Sequence, residues 1–158
     1  MNKIEALREA IAAAVPGLIQ NPDRLQLFVD DGRIVATAGP SVSFEYRYAA
    51  RIVMLDFPGP TDAVMAAMVA WAHRYQPDLF QNRDNCEHGI TFEADLLNHE
   101  TADLSTRIKL TESVVVTERA DGTRTFAHVD DSRPGNIDWD GAGFLAPRDL
   151  AIGAIPRK

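Results

Sequence analysis

Histidine, cysteine and carboxylate residues form three short patterns in this sequence that could do chemistry. The stretch HETAD at 99–103 approaches the HExxH motif, in which two histidines one helical turn apart hold a zinc ion. Asp103 stands where the second histidine would be, and the flanking Asn98 and Thr101 favour a loop over a helix. We therefore expect no zinc site at this stretch.

The other two patterns are also incomplete. GAGFLA at 141–146 fits a glycine-rich dinucleotide-binding turn, but no strand clearly precedes it and too little chain follows for a βαβ unit. Cys86, Glu87 and His88 could join a zinc site, yet the chain has one cysteine and lacks the second spaced pair that such sites use. No phosphate-binding loop or nucleophile elbow occurs. The sequence predicts no catalytic residue, no cofactor and no metal.

Three isolated titratable residues remain. His73 falls late in a predicted helix and His128 in the last predicted strand, and neither has a nucleophile or carboxylate partner by spacing. Asp56 ends an apolar strand, where capping of the following helix is more expected than catalysis. An enzyme is the least favoured interpretation because no nucleophile, base and orienting group converge.

Charge and composition exclude several classes of protein. The net charge of −7 and the pI near 5.0 argue against nucleic-acid binding, since phosphates require clustered Lys and Arg. No segment approaches the ~20 apolar residues of a membrane span, and MNKIEALREA lacks the apolar run of a signal peptide. One cysteine cannot form an internal disulfide. We expect a chain of 158 residues that folds in a cytosol as one domain.

The first 38 residues predict a helix and a hairpin. Apolar residues recur at helical spacing from residue 3 to residue 14, and Asn2 followed by Glu5 resembles a capping box. Alternating apolar residues then flank Asp31 and Gly32, a dipeptide typical of a type I′ turn. This pattern predicts two short antiparallel strands joined at that turn.

The middle of the chain predicts a second helix between long strands. Apolar and polar residues alternate from 42 to 57, about twice the length of an average strand. A helix with Thr61 as N-cap follows and ends before Pro77. After a polar loop, strands are predicted at 90–96, 104–116 and 125–129, the last two joined by a turn at Asp121-Gly122. The fold class is therefore α+β: a largely antiparallel or mixed sheet with long strands and two helices packed on one face.

Two regions carry more aromatic or apolar residues than a small core needs. The long strand presents Phe44, Tyr46 and Tyr48 on one side. Residues 130–158 are rich in Gly and Pro but include Trp139, Phe144 and several aliphatic residues. We expect residues 1–129 to form the domain and 130–158 a C-terminal arm. The five aromatic residues are candidate subunit or partner contacts, because interfaces favour buried aromatic area.

Five linked stretches of the sequence resemble the tail completion protein R family of temperate contractile-tailed bacteriophages. In chain order they are NPDRLQLFVDDGRI, SVSFEYRY, DFPGPTD, VAWAHRYQPDL and GITFEADLLNHETADLSTRIKLTE. They fall within residues 4–118, about three quarters of the chain, and leave the C-terminal arm outside the resemblance.

The resemblance implies a structural assembly protein with no enzymatic activity. Such a protein finishes the head-proximal end of the tail so that the filled head can join it. By analogy with tail terminators, which are α+β proteins and often hexameric, it implies a ring that contacts the tail tube, sheath and neck proteins. It places the chain in the tail or neck of a phage or prophage virion, assembled in the bacterial cytoplasm.

One other interpretation stays open at this point. An exposed sheet edge could capture an extended peptide, which would make the chain a cytosolic bacterial adaptor. Such an adaptor would remain monomeric at high concentration, whereas an assembly protein would associate with itself or with tails.

Overall fold

A computed structural model describes residues 1–15, 17–18, 21–36, 39, 41–96 and 101–132. The helices are α1 (Asn2–Ala14), α2 (Thr61–Tyr75) and the short α3 (Arg83–His88), with 3-10 turns at Pro22–Arg24 and Pro77–Phe80. The strands are β1 (Leu25–Ala36), β2 (Phe44–Phe57), β3 (Ile90–Leu96), β4 (Ala102–Glu118) and β5 (Arg124–His128). The predicted α+β class is confirmed. Most of the predicted arm, 133–158, lies outside the described residues.

The five strands form one antiparallel sheet with the order β1-β2-β4-β3. β5 pairs with the end of β4 at residues 114–118, on the same side of β4 that β3 occupies at residues 102–108. Between them lies a gap, residues 109–113 of β4, that neither strand fills. The long β4 thus organises the whole sheet.

Alternation along β2 and β4 gives the sheet two unlike faces. Even-numbered residues point to one side, where Ile52, Met54 and Ile108 are fully buried against α1 and α2. We call this the covered face. Odd-numbered residues such as Arg47 and Arg107 point to the other side, the open face, which no described helix covers.

Both long helices bury residues that recur at helical spacing. Leu7 and Ile11 of α1 are fully buried, and α2 buries Val64, Met68 and Trp71. Burying such side chains stabilises a fold by about 1.5–3 kcal/mol each. The predicted caps are wrong, however: α1 begins after Met1 and α2 after Pro60, and neither helix has a side-chain cap from Asn2 or Thr61.

The predicted hairpin at Asp31-Gly32 is also wrong. β1 runs unbroken through this dipeptide, and one extra residue between Asp30 and Arg33 forms a β-bulge against β2. Asp31 adopts φ 51°, a left-handed conformation that aspartate tolerates better than most residues. The turn-forming residues therefore bend one strand, because β2 offers β1 a partner along its whole length.

Two further predictions concern the segments around the strands, and one of them is wrong. The polar stretch near 81–89, predicted as a loop, contains α3, whose first turn is capped by the side chain of Asn82 at 2.8 Å from the Asn85 nitrogen. The predicted turn at Asp121-Gly122 is present, with Gly122 at φ 82° and the Asp121 carboxylate bonded to Thr123. It joins β4 to β5 as expected.

Candidate assembly surface

Among the described residues, the most buried carboxylate is that of Glu112 on β4, which is 4% exposed. Its oxygens accept hydrogen bonds from the backbone nitrogens of Asn2 and Lys3, at 2.8 and 3.3 Å, and from the hydroxyl of Tyr48. His128 Nδ1 lies 3.2 Å from its Oε2 atom. A carboxylate at a helix N-terminus satisfies free N–H groups and interacts favourably with the helix dipole. Glu112 therefore does for α1 what the predicted capping box does not.

Burial, together with the hydrogen bond to Glu112 and its charge, raises the pKa of the Tyr48 hydroxyl well above its ordinary value. The tyrosine therefore keeps its proton across the physiological range and acts as a donor to Glu112. A protonated, enclosed phenol that holds a helix cap is a structural group and not a base.

A second polar group closes the gap in the sheet. Gln76, 1% exposed at the end of α2, accepts a bond at its Oε1 atom from the Thr111 nitrogen at 3.1 Å and donates from Nε2 to the Thr111 hydroxyl at 2.8 Å. Its Oε1 atom also accepts from Lys3 Nζ at 3.0 Å, and Lys3 pairs with Asp131 at 2.8 Å. The amide thus replaces the missing strand beside β4 and ties α1 to α2.

The isolated titratable residues of the sequence do not come together. The His73 ring stacks on Phe80, with centroids 3.9 Å apart, and Asp56 is exposed in a second bulge at φ 49°. Cys86 is exposed on α3. His128 does meet a carboxylate, Glu112, which sequence spacing did not reveal.

The described residues lack both a metal site and a membrane-spanning helix. No cluster of three or more His, Cys, Asp or Glu side chains could hold a metal ion in this part of the chain. Within the same residues, no helix has the length and apolar character needed to cross a bilayer. HETAD lies partly, and GAGFLA wholly, outside the described residues.

The predicted contact aromatics occupy three different situations. Phe44 and Tyr46 are half-buried and pack edge to face, with ring centroids 4.9 Å apart. Tyr48 is 5% exposed and belongs to the core. Trp139 and Phe144 lie outside the described residues. Their role in contacts stays a prediction, and within the described chain Phe44 and Tyr46 are the accessible pair.

Phe44 and Tyr46 belong to a larger apolar surface at one end of the covered face. Glu112 binds the first turn of α1. The residues of β2 and β4 that lie beyond Glu112 therefore extend past the end of this helix. Ile34 stands directly opposite Tyr46, and Phe126 opposite Val116. We call this surface the apolar end; its members, with exposed fractions for the most exposed, are Ile34 (65%), Val42 (54%), Phe126 (66%), Phe44 and Tyr46.

Sequence reasoning missed Glu112 and Gln76 as organising residues. Glu112 stands at an inward position of an alternating strand, LSTRIKLTESVVV, and that position was the available signal. Gln76 precedes Pro77 at the end of a helix and carries no comparable signal.

Comparison with known proteins gives one consistent result. A sequence profile of the family described as P2 phage tail completion protein R matches residues 1–132. The tail completion protein R of Escherichia phage P2 is 37% identical over 134 residues, covering 85% of this chain and 86% of the relative. No solved structure matches the chain. The chain belongs to the P2 phage tail completion protein R family of structural tail proteins.

Proposed function

We propose that this chain completes the phage tail at its head-proximal end, prepares the tail for joining to the head, and has no enzymatic activity. Membership in the tail completion family supports the tail role. The structure adds a candidate contact surface, the apolar end. The buried polar side chains of Glu112, Lys3 and Gln76 hold α1, α2 and β4 together.

The apolar end is the main observation that favours assembly. Its three most exposed members, Ile34, Val42 and Phe126, are 54 to 66% exposed, and the strand register places Ile34 and Phe126 on the same face of the sheet. A continuous exposed apolar surface is typical of a protein contact, because its burial releases water. We infer that the apolar end contacts tail components or a second copy of the chain.

Unpaired strand edges favour the same conclusion. β1 and β5 each pair on one side only among the described strands, and both contribute residues to the apolar end. Free edges next to apolar residues can add strands from a neighbour unless the assembled state covers them. A ring of copies, by analogy with tail terminators, would cover both edges with two different surfaces of adjacent subunits.

The test combines mass measurement with tail binding. Light scattering over a concentration series, with and without tails from a phage that lacks this protein, should show a ring mass or co-sedimentation with tails. The double variant Ile34→Lys with Phe126→Lys should lose both behaviours and remain folded, because both side chains are largely exposed. Phe92→Lys, which changes an equally exposed phenylalanine on β3, is the matched control.

The outcomes separate the alternatives. Loss in the double variant alone supports assembly through the apolar end. Equal loss in the Phe92→Lys control would assign the contact to another surface. If the wild-type chain stays monomeric and does not co-sediment with tails, the tail role is rejected for this chain and the peptide-binding adaptor is favoured.

A further inference from the structure

The open face of the sheet carries a group of basic residues that is unexpected in a chain of net charge −7. Five cations project from it on neighbouring strands, and we call them the basic cluster: Arg33, Arg47, Arg51, Arg107 and Lys109. They lie on or beside a depression of about 690 Å³, bounded by β1 on one side and by residues near α3 on the other.

The register within the basic cluster is unfavourable for the isolated fold. Arg33 is directly opposite Arg47, and Arg51 directly opposite Arg107. Like charges directly opposite each other in antiparallel strands destabilise a sheet. Two such pairs on one face, without a stabilising role in the core, are typical of a surface shaped for binding, where stability is often sacrificed.

Internal carboxylates neutralise part of the basic cluster. Arg51 pairs with Asp30 at 2.7 Å, Arg107 pairs with Asp31 of the bulge, and Arg47 pairs with Glu45. Arg33 and Lys109 are exposed and have no ion-pair partner among the described residues. These two cations are the ones available to another molecule.

We propose that the open face docks an extended acidic segment of a partner protein, with its carboxylates placed on Arg33 and Lys109. The two residues sit two strands apart and two residues out of register, a separation of roughly 12 Å between Cα atoms. An extended chain advances about 3.3 Å per residue, so acidic side chains four residues apart fit this spacing and point to the same side.

Charge on the rest of the face favours a protein over a nucleic acid. Asp30, Asp31 and Glu45 stand among the cations and would repel a continuous row of phosphates. Farther along the same face Asp95 is opposite Asp103. These two carboxylates would repel an acidic segment, which can therefore bind only over the basic cluster. Individual carboxylates can meet Arg33 and Lys109 without meeting these acids.

The experiment uses the full chain and a fluorescent 12-residue peptide of alternating Glu and Ser, at low salt. Anisotropy should show saturable binding that weakens with added salt. The double variant Arg33→Glu with Lys109→Glu should bind at least tenfold more weakly. Its matched control, Arg8→Glu with Arg119→Glu, makes the same change in net charge at exposed sites on α1 and the β4–β5 turn, and should bind like the wild type.

Several results would overturn the proposal. These are no binding of the glutamate peptide by the wild type, equal binding of a Gln-Ser peptide, and equal loss in both double variants. A 12-nucleotide single strand that binds more tightly than the glutamate peptide would make this a phosphate-binding surface instead. Thermal unfolding adds an independent readout: Arg33→Glu should leave the Tm unchanged or raise it, because it removes the repulsion with Arg47.

Discussion

The two faces of the sheet use the same strands for opposite purposes. On the covered face, β2 and β4 present Ile52, Met54 and Ile108 to two helices. One residue along each strand, the open face presents Arg51 and Arg107 directly opposite each other. Side chains alternate between faces, so neighbouring residues experience different environments. Stability therefore resides on the covered face, while the open face is free to bind.

Adjacent alanine substitutions on β2 provide the largest test of this difference. Ile52→Ala removes a fully buried side chain and should lower the free energy of unfolding by about 2–5 kcal/mol, since a cavity remains. Val53→Ala, on the open face, should cost about 1 kcal/mol or less. Urea unfolding of both variants measures the contrast. Similar losses would mean that the open face is also covered in the folded chain.

Removal of the Glu112 carboxylate tests whether a buried polar side chain on the covered face stabilises the fold as much as a buried apolar one. Glu112→Ala leaves two N–H groups of α1 and the Tyr48 hydroxyl without their acceptor, which should cost about 2–4 kcal/mol. Glu118→Ala is the control on the same strand, where a solvent-exposed pair with Arg124 should contribute about 0–1 kcal/mol. A cost for Glu112→Ala as small as that of the control would show that water or another group replaces the carboxylate.

The substitution Gln76→Ala tests a buried polar group at the gap between β3 and β5. It removes the acceptor for the Thr111 nitrogen and should cost about 1–3 kcal/mol. Hydrogen exchange should show faster exchange of the Thr111 amide, with little change at Ile108, which lies within the β2–β4 pairing. Gln81→Ala, at an exposed position near α3, should leave both amides unchanged. Unchanged protection at Thr111 would contradict the role of Gln76 as a substitute for a strand.

The raised pKa of Tyr48 gives the smallest expected effect and a direction in pH. The unfolded chain releases the phenol proton near pH 10, while the folded chain retains it. Above pH 10 the unfolded state therefore binds fewer protons, so the free energy of unfolding should fall by about 1.4 kcal/mol per pH unit from this group. Below pH 10 the group adds no pH dependence. Tyr48→Phe should lack this fall, and parallel curves for both proteins above pH 10 would contradict it.

Local patterns in the sequence predicted most of the helices and strands but few of the buried polar contacts. The spacing of Leu7 and Ile11, the alternation from 42 to 57 and the turn at Asp121-Gly122 each predicted an element that the structure contains. The turn predicted at Asp31-Gly32 is absent, because β1 pairs with β2 along its whole length. That ladder of hydrogen bonds stabilises the strand more than the local turn preference of Asp-Gly stabilises a hairpin. The apolar end was anticipated only through Phe44 and Tyr46, since exposure depends on where α1 begins.

Local sequence patterns were enough to predict which residues alternate and where the two long helices run, and to show the resemblance to a tail completion family. Those properties depend on neighbours within a few positions, or on linked stretches that can be compared directly. Long-range packing, in contrast, is what lets Glu112 cap a helix 110 residues away in sequence and Gln76 complete the sheet beside Thr111. It alone placed Arg33 opposite Arg47. Such contacts follow from strand register and helix docking, which are set by the packing of the whole core.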